Sequence, residues 1–260
     1  MSHEWNAAEY HRVSAPQVGW GQKVLSRLEL AGHEQTIDAG CGTGRLTGEL
    51  VARLPKGSLI AVDRSWNMLL TARANLRPSF GSRISFVQAA LPYLPFERWA
   101  DLVFSTATFH WVPDHTALFA GIFAALRPRG RLFAQCGGGP NLSRAHRLAE
   151  EVMATEPFEP FFRGWQGIWT FAYPDETVDR LHRAGFVEVD VDLEPAMTTL
   201  SDETSYREFV TTVIYHTHLA RLPEGELRTR WLDKIVALAA AQDPAFTLDY
   251  WRLNLSGTRP

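Results

Sequence analysis

Three glycines at alternate positions, Gly40, Gly42 and Gly44, follow the acid Asp38 in this chain. Apolar residues precede the acid and helically spaced leucines follow the glycines, which is typical of a strand, a tight loop and a helix. Glycine serves where the backbone turns sharply or where a ligand lies close to it. The helix that follows presents free N–H groups and the positive end of its dipole, which favour an anionic group. We therefore expect a ligand site at this loop.

A second acid, Asp63, ends the apolar run of residues 59–62. Such a run is typical of a parallel strand buried on both faces. In nucleotide-binding sheets, an acid at the end of the second strand accepts hydrogen bonds from ribose hydroxyls. A dinucleotide site would need a third glycine three positions after Gly42, where the chain has Arg45. A nicotinamide-dependent oxidoreductase is therefore the less favoured alternative.

The acid and the three glycines together resemble motif I of the class I S-adenosylmethionine (SAM) methyltransferases. Residues 63–69, Asp-Arg-Ser-Trp-Asn-Met-Leu, resemble the second motif of that family, D-x-S-x-x-M-L. Residues 107–115 resemble the A-x-x-x-W-(L/V)-P-D-H segment of its trans-aconitate methyltransferase-like group, and residues 5–10 resemble the W-(D/N)-x-x-x-Y opening of that group. The resemblance covers almost the whole chain and is strongest before residue 136.

This resemblance implies a cofactor, SAM, with S-adenosylhomocysteine (SAH) as its product. The implied cofactor-binding positions are Tyr10, Asp38, Gly40, Cys41, Gly42, Gly44, Asp63, Arg64, Met68, Ala89, Ala90, Leu91 and Ser105. One position departs from the family, because Ala90 replaces the acid that meets the adenine amino group. The adenine would then be held by a backbone N–H and by apolar contact with Leu91.

The resemblance also implies transfer of a methyl group to an oxygen or nitrogen of a small-molecule acceptor, with a carboxylate as the acceptor in the trans-aconitate type. A sulfonium methyl is already activated, so the protein mainly aligns the nucleophile, which accounts for about 7–11 kcal/mol of a barrier. A carboxylate is ionised at neutral pH and needs no base, whereas an alcohol, phenol or amine benefits from one.

His110, which follows the fourth predicted strand, is the candidate for such a base, with Tyr10 as a second catalytic candidate. The alternative for His110 is a histidine that packs beside the pocket. A non-catalytic module that binds SAM or SAH is a further alternative, and the departure at Ala90 is its support.

Strands and helices alternate with short loops up to residue 136, which predicts an α/β, doubly wound sheet. The resemblance implies seven mostly parallel strands, with insertions after strands five and six that fold together as a helical lid. We expect the helix that starts near Ser65 to end near Asn75, because Pro78 follows. The predicted division of the chain is 1–136 as N-terminal cap plus SAM-binding core, 137–173 as lid insertion, 174–197 as return to the core, 198–242 as lid helices and 243–260 as last core strand.

The composition indicates a globular protein of 260 residues with 45% hydrophobic residues and a net charge of −3. Without basic clusters there is no electrostatic case for nucleic acid, and the longest strongly apolar run is too short to span a membrane. The two cysteines, Cys41 and Cys136, make neither a disulfide framework nor a metal pattern. We expect a cytoplasmic monomer or homodimer whose partner is a small-molecule acceptor.

Overall fold

The structure is a computed structural model that describes residues 15–260, with side chains from residue 19 onward. Tyr10 and the rest of the motif at residues 5–10 lie outside the described residues. The chain divides into two compact units. The first, here the sheet unit, contains the chain up to Gly139 together with Trp169–Glu194 and Arg252–Pro260; the second, the helical unit, contains Pro140–Ile168 and Pro195–Trp251.

Nine strands lie in the described part of the chain. They are β1 (Gln35–Ala39), β2 (Ser58–Asp63), β3 (Ile84–Gln88), β4 (Ala100–Thr106), β5 (Leu126–Gly137), β6 (Val187–Pro195), β7 (Thr198–Thr199), β8 (Thr247–Leu248) and β9 (Trp251–Thr258). Seven of them form one sheet in the order β3-β2-β1-β4-β5-β9-β6. Strands β1 to β5 pair in parallel, whereas β9 runs antiparallel to β5. The predicted seven-stranded, mostly parallel α/β sheet is confirmed.

Helices cover both faces of this sheet. They are Ala15–Arg27, Arg45–Ala52, Trp66–Phe80, His115–Ala125 and Pro174–Ala184, with short 3-10 turns at Gly81–Arg83, Leu91–Tyr93 and Phe109–Trp111. On one face Leu25 and Leu50 are fully buried, and on the other face Leu118 and Leu181 are fully buried. The strands whose ends contain the site residues are therefore packed against a hydrophobic core on both faces.

Side-chain caps begin two of these helices. Ser65 Oγ accepts a hydrogen bond from the Met68 N–H at 3.3 Å, and Asp114 Oδ1 accepts one from the Ala117 N–H at 3.0 Å. The first of these helices continues through Pro78 to Phe80, so the expected end near Asn75 is wrong. Proline removes only one hydrogen bond there, near the end of the helix, where the carbonyl that loses its partner belongs to an exposed turn.

The helical unit contains the helices Ser143–Met153, Glu159–Phe162, Glu203–Phe209, His216–Arg221 and Glu226–Ala240, a π-helical turn at Val210–Ile214 and the β7–β8 ladder. Its boundaries differ from the predicted 137–173 and 198–242. Residues 243–251, expected in the core strand, belong to this unit, because the Asp249 carboxylate accepts hydrogen bonds from the Ser143 hydroxyl and the Arg144 N–H. Its role as a lid stays a prediction. Within the described residues no helix is long and apolar enough to cross a membrane.

Candidate active site

Backbone hydrogen bonds fix the glycine loop to the end of β2. The N–H groups of Gly40 and Cys41 both donate to the Val62 carbonyl, at 2.8 and 2.9 Å. The next N–H, that of Gly42, donates to Asp63 Oδ2 at 2.9 Å. The loops that follow β1 and β2 are therefore joined at the carboxyl edge of the sheet, where parallel sheets bind ligands.

The Asp63 carboxylate accepts a second hydrogen bond at its other oxygen, from the Ser65 N–H at 2.8 Å. Burial raises the pKa of Asp63, and the N–H groups of Ser65 and Gly42 oppose that rise by stabilising the charged form. A carboxylate offers about four acceptor positions, so both oxygens of Asp63 can accept further hydrogen bonds. This geometry fits a pair of ribose hydroxyls.

The glycines of the loop serve two different purposes. Gly40 has a φ of +85°, and a Cβ there would collide with the side chain of Thr108, so close packing requires glycine. Gly42 has a φ of +55°, and a Cβ there would meet no atom of residues 19–260 within 4 Å. None of these residues fills the space above Gly42, as a ligand that lies against the backbone requires.

Asp38 lies beneath the loop, where only 3% of its surface is exposed. Its Oδ2 accepts a hydrogen bond from the Thr47 hydroxyl at 2.6 Å. Burial raises the pKa of Asp38 to about 7 and the charge of Asp63 adds to the rise, while the Thr47 hydrogen bond opposes it. A cationic group beside this carboxylate would favour its charged form.

Four more of the predicted cofactor residues lie in this loop, in β4 or just after β2. The Ser105 hydroxyl is buried and donates to the Ala39 carbonyl at 2.6 Å, which ties β4 to β1. The Met68 side chain is buried, and Arg64 is exposed. Burial raises the pKa of the Cys41 thiol well above its usual value, so this thiol stays protonated at neutral pH.

The segment after β3 contains the three positions predicted to meet adenine. The Ala89 N–H donates to the Asp63 carbonyl at 3.1 Å, so this segment lies beside the end of β2. Ala90 is exposed. The side chain of Leu91 is 6% exposed and belongs to the hydrophobic core, so little of its apolar surface is available to a ligand.

His110 lies in the 3-10 turn after β4, among aromatic side chains. Its ring centroid is 5.4 Å from that of Trp111 and 5.9 Å from that of Phe171. Its Nδ1 accepts a hydrogen bond from the Gly137 N–H at 3.2 Å. Burial, and then the positive charge of Arg252, hold the pKa of His110 well below its usual range. The imidazole is therefore neutral at pH 7.

Sequence reasoning missed Arg252, which is the second residue of β9 and is 4% exposed. Its guanidinium lies over the Trp20 ring, 4.7 Å from the centroid, and its Nε donates to Gln135 Oε1 at 3.4 Å. The available signal was weak, because Arg252 stands in line with Asn254 and Ser256 on the polar side of an alternating strand pattern. Within the described residues, no three His, Cys, Asp or Glu side chains are placed to hold a metal.

The model of the family described as a methyltransferase domain matches residues 37–130, which run from β1 into β5. The trans-aconitate 2-methyltransferase of Methylobacterium radiotolerans is 35% identical over 156 residues, which are 60% of this chain and 57% of the relative. That of Variovorax paradoxus is 33% identical over 155 residues, 60% of this chain and 58% of the relative. The chain thus spans less than two thirds of the length of these curated relatives.

Among solved structures, the chain resembles phosphoethanolamine N-methyltransferase 2 of Haemonchus contortus in complex with SAM. The TM-score is 0.63 at 17% identity, over 98% of this chain and 56% of that one. At this identity the likeness concerns the fold alone. The domain match, the relatives and the strand order agree with the motifs that resemble those of the class I SAM methyltransferases.

Proposed function

We propose that this chain is a SAM-dependent methyltransferase that acts on a small-molecule acceptor and releases SAH. The observation that carries the proposal is the joined pair of loops after β1 and β2. There Asp63 Oδ2 accepts a hydrogen bond from the Gly42 N–H, and the carboxylate keeps further acceptor positions for a ligand. No residue in the described part of the chain fills the space above Gly42. The matched methyltransferase domain covers both loops.

When bound, SAM supplies a methyl group on a sulfonium, with a neutral thioether as leaving group. The residues of this chain bind and align. Asp63 accepts hydrogen bonds from the ribose hydroxyls, and Gly42 lets the ligand approach the backbone. Asp38 provides negative charge for the ammonium group of the amino-acid end. The segment from Ala89 to Leu91 receives the adenine.

For the acceptor we propose a carboxylate. The relatives at 35% and 33% identity are named trans-aconitate 2-methyltransferases, and that acid carries carboxylates. A carboxylate is ionised at neutral pH, so methylation of its oxygen needs no general base. The low pKa of His110 agrees with this, because a base with so little affinity for protons would assist an alcohol or amine poorly.

Calorimetric titration with SAH tests the cofactor site. We expect the wild type to bind SAH and not NAD, and the Asp63→Ala variant to lose at least about tenfold in affinity, the equivalent of one charge-assisted hydrogen bond. Asp190→Ala is the matched control, since this acid is exposed on β6 of the same sheet. Absence of SAH binding to the folded wild type would overturn the proposal.

Turnover separates an enzyme from a binding module. The wild type with SAM is incubated with carboxylic acids, including trans-aconitate, and with phenols and amines, and methylated product is measured by mass spectrometry. Methyl ester formation supports the carboxylate. Tight SAH binding with no product from any acceptor would favour the non-catalytic alternative.

A further inference from the structure

His110 and Arg252 come from distant parts of the chain and meet at Gly137, the last residue of β5. The Gly137 N–H donates to His110 Nδ1 at 3.2 Å. In the antiparallel pairing of β5 with β9, Gly137 lies directly opposite Arg252. All three residues lie at the edge of the sheet where β4 and β5 end, and all belong to the sheet unit.

The hydrogen bond from Gly137 determines the tautomer of His110. A backbone N–H can only donate, so Nδ1 must be the acceptor, and a neutral imidazole then has its proton on Nε2. Burial and the charge of Arg252 keep the ring neutral. His110 Nε2 is therefore a hydrogen-bond donor, and it cannot take a proton from an acceptor molecule.

Arg252 contributes a permanent charge that acts on the His110 ring. Arginine does not lose its proton in proteins, and its planar fork of N–H groups matches a carboxylate in geometry. Stacking on Trp20 and the bond from Nε to Gln135 fix the plane of the guanidinium. Its charge also lowers the pKa of the Cys136 thiol against a larger rise from burial, so the charge acts on several groups at this end of β5.

We propose that Arg252 and His110 together hold the reacting carboxylate of the acceptor, Arg252 as the charged donor and His110 through Nε2–H, and that His110 does not act as a general base. The proposal rests on the proposed methyltransferase function. A carboxylate oxygen forms the bond to the methyl carbon as the carbon–sulfur bond breaks, and the electron pair of that bond stays on sulfur. The products are a neutral ester and a neutral thioether, so no proton is released and no base is needed.

The first test is substitution of Arg252. We measure binding of fumarate, succinate, benzoate and trans-aconitate to the protein–SAH complex by calorimetry, and KM and kcat for any acid that is methylated. We expect Arg252→Gln to weaken acid binding and raise KM by roughly 10- to 100-fold, as loss of a charge-assisted contact does. We expect SAH affinity to be unchanged and Arg252→Lys to lie between the two.

Arg259→Gln is the matched control for this substitution. Arg259 follows β9 at the other end of the strand and also lies over an aromatic ring, 4.5 Å from the centroid of Phe123. We expect its acid binding to equal that of the wild type. The proposal is overturned if Arg252→Gln binds the acids as tightly as the wild type does. It is also overturned if the wild type binds SAH but none of the acids. If Arg252→Gln fails to fold, unchanged acid binding by Arg252→Lys overturns it instead.

The second test separates a donor from a base at His110. Glutamine places an amide NH₂ near the position of Nε2 but cannot act as a base, whereas phenylalanine provides neither group. We expect His110→Gln to keep activity within about tenfold of the wild type, and His110→Phe to raise KM as Arg252→Gln does. We also expect kcat at saturating SAM to be flat from pH 6 to 9. The contradicting outcome has two parts: His110→Gln loses as much activity as His110→Phe, and the kcat of the wild type rises with pH as a single group loses its proton. That outcome would show that His110 is a general base.

These outcomes are distinguishable from failure of the methyltransferase proposal itself. A wild type that does not bind SAH removes the proposed function. A wild type that binds SAH and methylates alcohols or amines but no acid keeps the methyltransferase and removes only the role assigned here to Arg252 and His110.

Discussion

The Thr47 hydroxyl donates to Asp38 Oδ2 at 2.6 Å and so joins the end of β1 to the first turn of the helix Arg45–Ala52. Burial raises the pKa of Asp38 from its ordinary value of 3.8 to about 7. Because the folded-state pKa is the higher one, the protonated carboxyl stabilises the fold at low pH, and that contribution declines as the pH rises from about 4 to 7. An ammonium ligand needs the ionised form, so ligand binding and protonation of Asp38 oppose each other.

The affinity for SAH should therefore rise between pH 6 and 8, by up to about tenfold per unit below the pKa of Asp38. The asparagine variant Asp38→Asn keeps an acceptor for Thr47 but has no charge, so we expect weaker binding with a flatter pH profile. Calorimetric titration with SAH at pH 6, 7 and 8 measures both effects.

Thr47→Val is the control for that pH dependence. It removes the hydrogen bond that lowers the pKa of Asp38, so the rise in affinity should move to higher pH. A profile in Asp38→Asn identical to that of the wild type would assign the pH dependence to another group.

Gly40→Ala and Gly42→Ala should separate folding from binding. Both glycines have positive φ, at which alanine costs roughly 1–2 kcal/mol. At Gly40 the added Cβ also collides with Thr108, so we expect a loss of several kcal/mol in the free energy of unfolding. At Gly42 the Cβ would meet no atom of the residues that the structure describes, so we expect only the backbone cost together with loss of SAH binding.

Urea unfolding and SAH titration of the two glycine variants give the comparison. If Gly42→Ala binds SAH as the wild type does, then no ligand lies against the backbone at that position. Equal destabilisation in both variants would mean that the side chain of Thr108 moves aside to accept a Cβ at Gly40.

The stability of the fold should fall at acidic pH because of a buried histidine in the helical unit. His218 is 4% exposed and packs against Trp165, Tyr215 and Trp231 at centroid distances of 4.5, 5.2 and 5.6 Å. Burial lowers the pKa of His218 from 6.5 to about 3, and the neighbouring His146 and His216 contribute. Because the folded-state pKa is the lower one, the stability is fully present above about pH 6.5 and is lost as the pH falls toward 3.

Because His218 takes up a proton on unfolding at pH 5, the free energy of unfolding should be about 2 kcal/mol lower at pH 5 than at pH 7. His218→Phe, which retains an aromatic ring, should make the free energy of unfolding less dependent on pH over this range. Urea unfolding at pH 7 and pH 5 measures the difference. His182→Phe, at an exposed position on the helix Pro174–Ala184, is the control and should keep the full dependence.

The sequence motifs predicted the sheet and the candidate cofactor site because each motif lies within a short stretch of the chain. A buried strand, an acid at its end and a glycine loop occupy a few consecutive residues, and parallel strands bring their carboxyl ends to one edge. Asp38, Gly42 and Asp63 therefore lie at the β1 and β2 ends of that edge, as expected. Whether they bind SAM stays a prediction.

The acceptor side could not be predicted in the same way, because it depends on pairing between distant segments. Arg252 lies opposite Gly137 only because β9 enters antiparallel between β5 and β6. The tautomer of His110 depends on a backbone N–H from another strand. Residue spacing contains neither relationship. The helix end expected before Pro78 was wrong for a similar reason. The sequence does not show that the helix tolerates the loss of one hydrogen bond at that position.

The exposed residue Ala90 allows a test of the adenine end. The family has an acid at this position, and the structure places Ala90 two residues after β3, with its side chain exposed. We expect Ala90→Asp to bind SAH roughly 3- to 10-fold more tightly, because the carboxylate would accept a hydrogen bond from the adenine amino group. Ala90→Leu is the control of similar size without an acceptor, and it should gain no affinity. Calorimetry with S-inosylhomocysteine, which lacks the amino group, completes the test: the gain in Ala90→Asp should disappear with that ligand, and an equal gain for both ligands would place the adenine elsewhere.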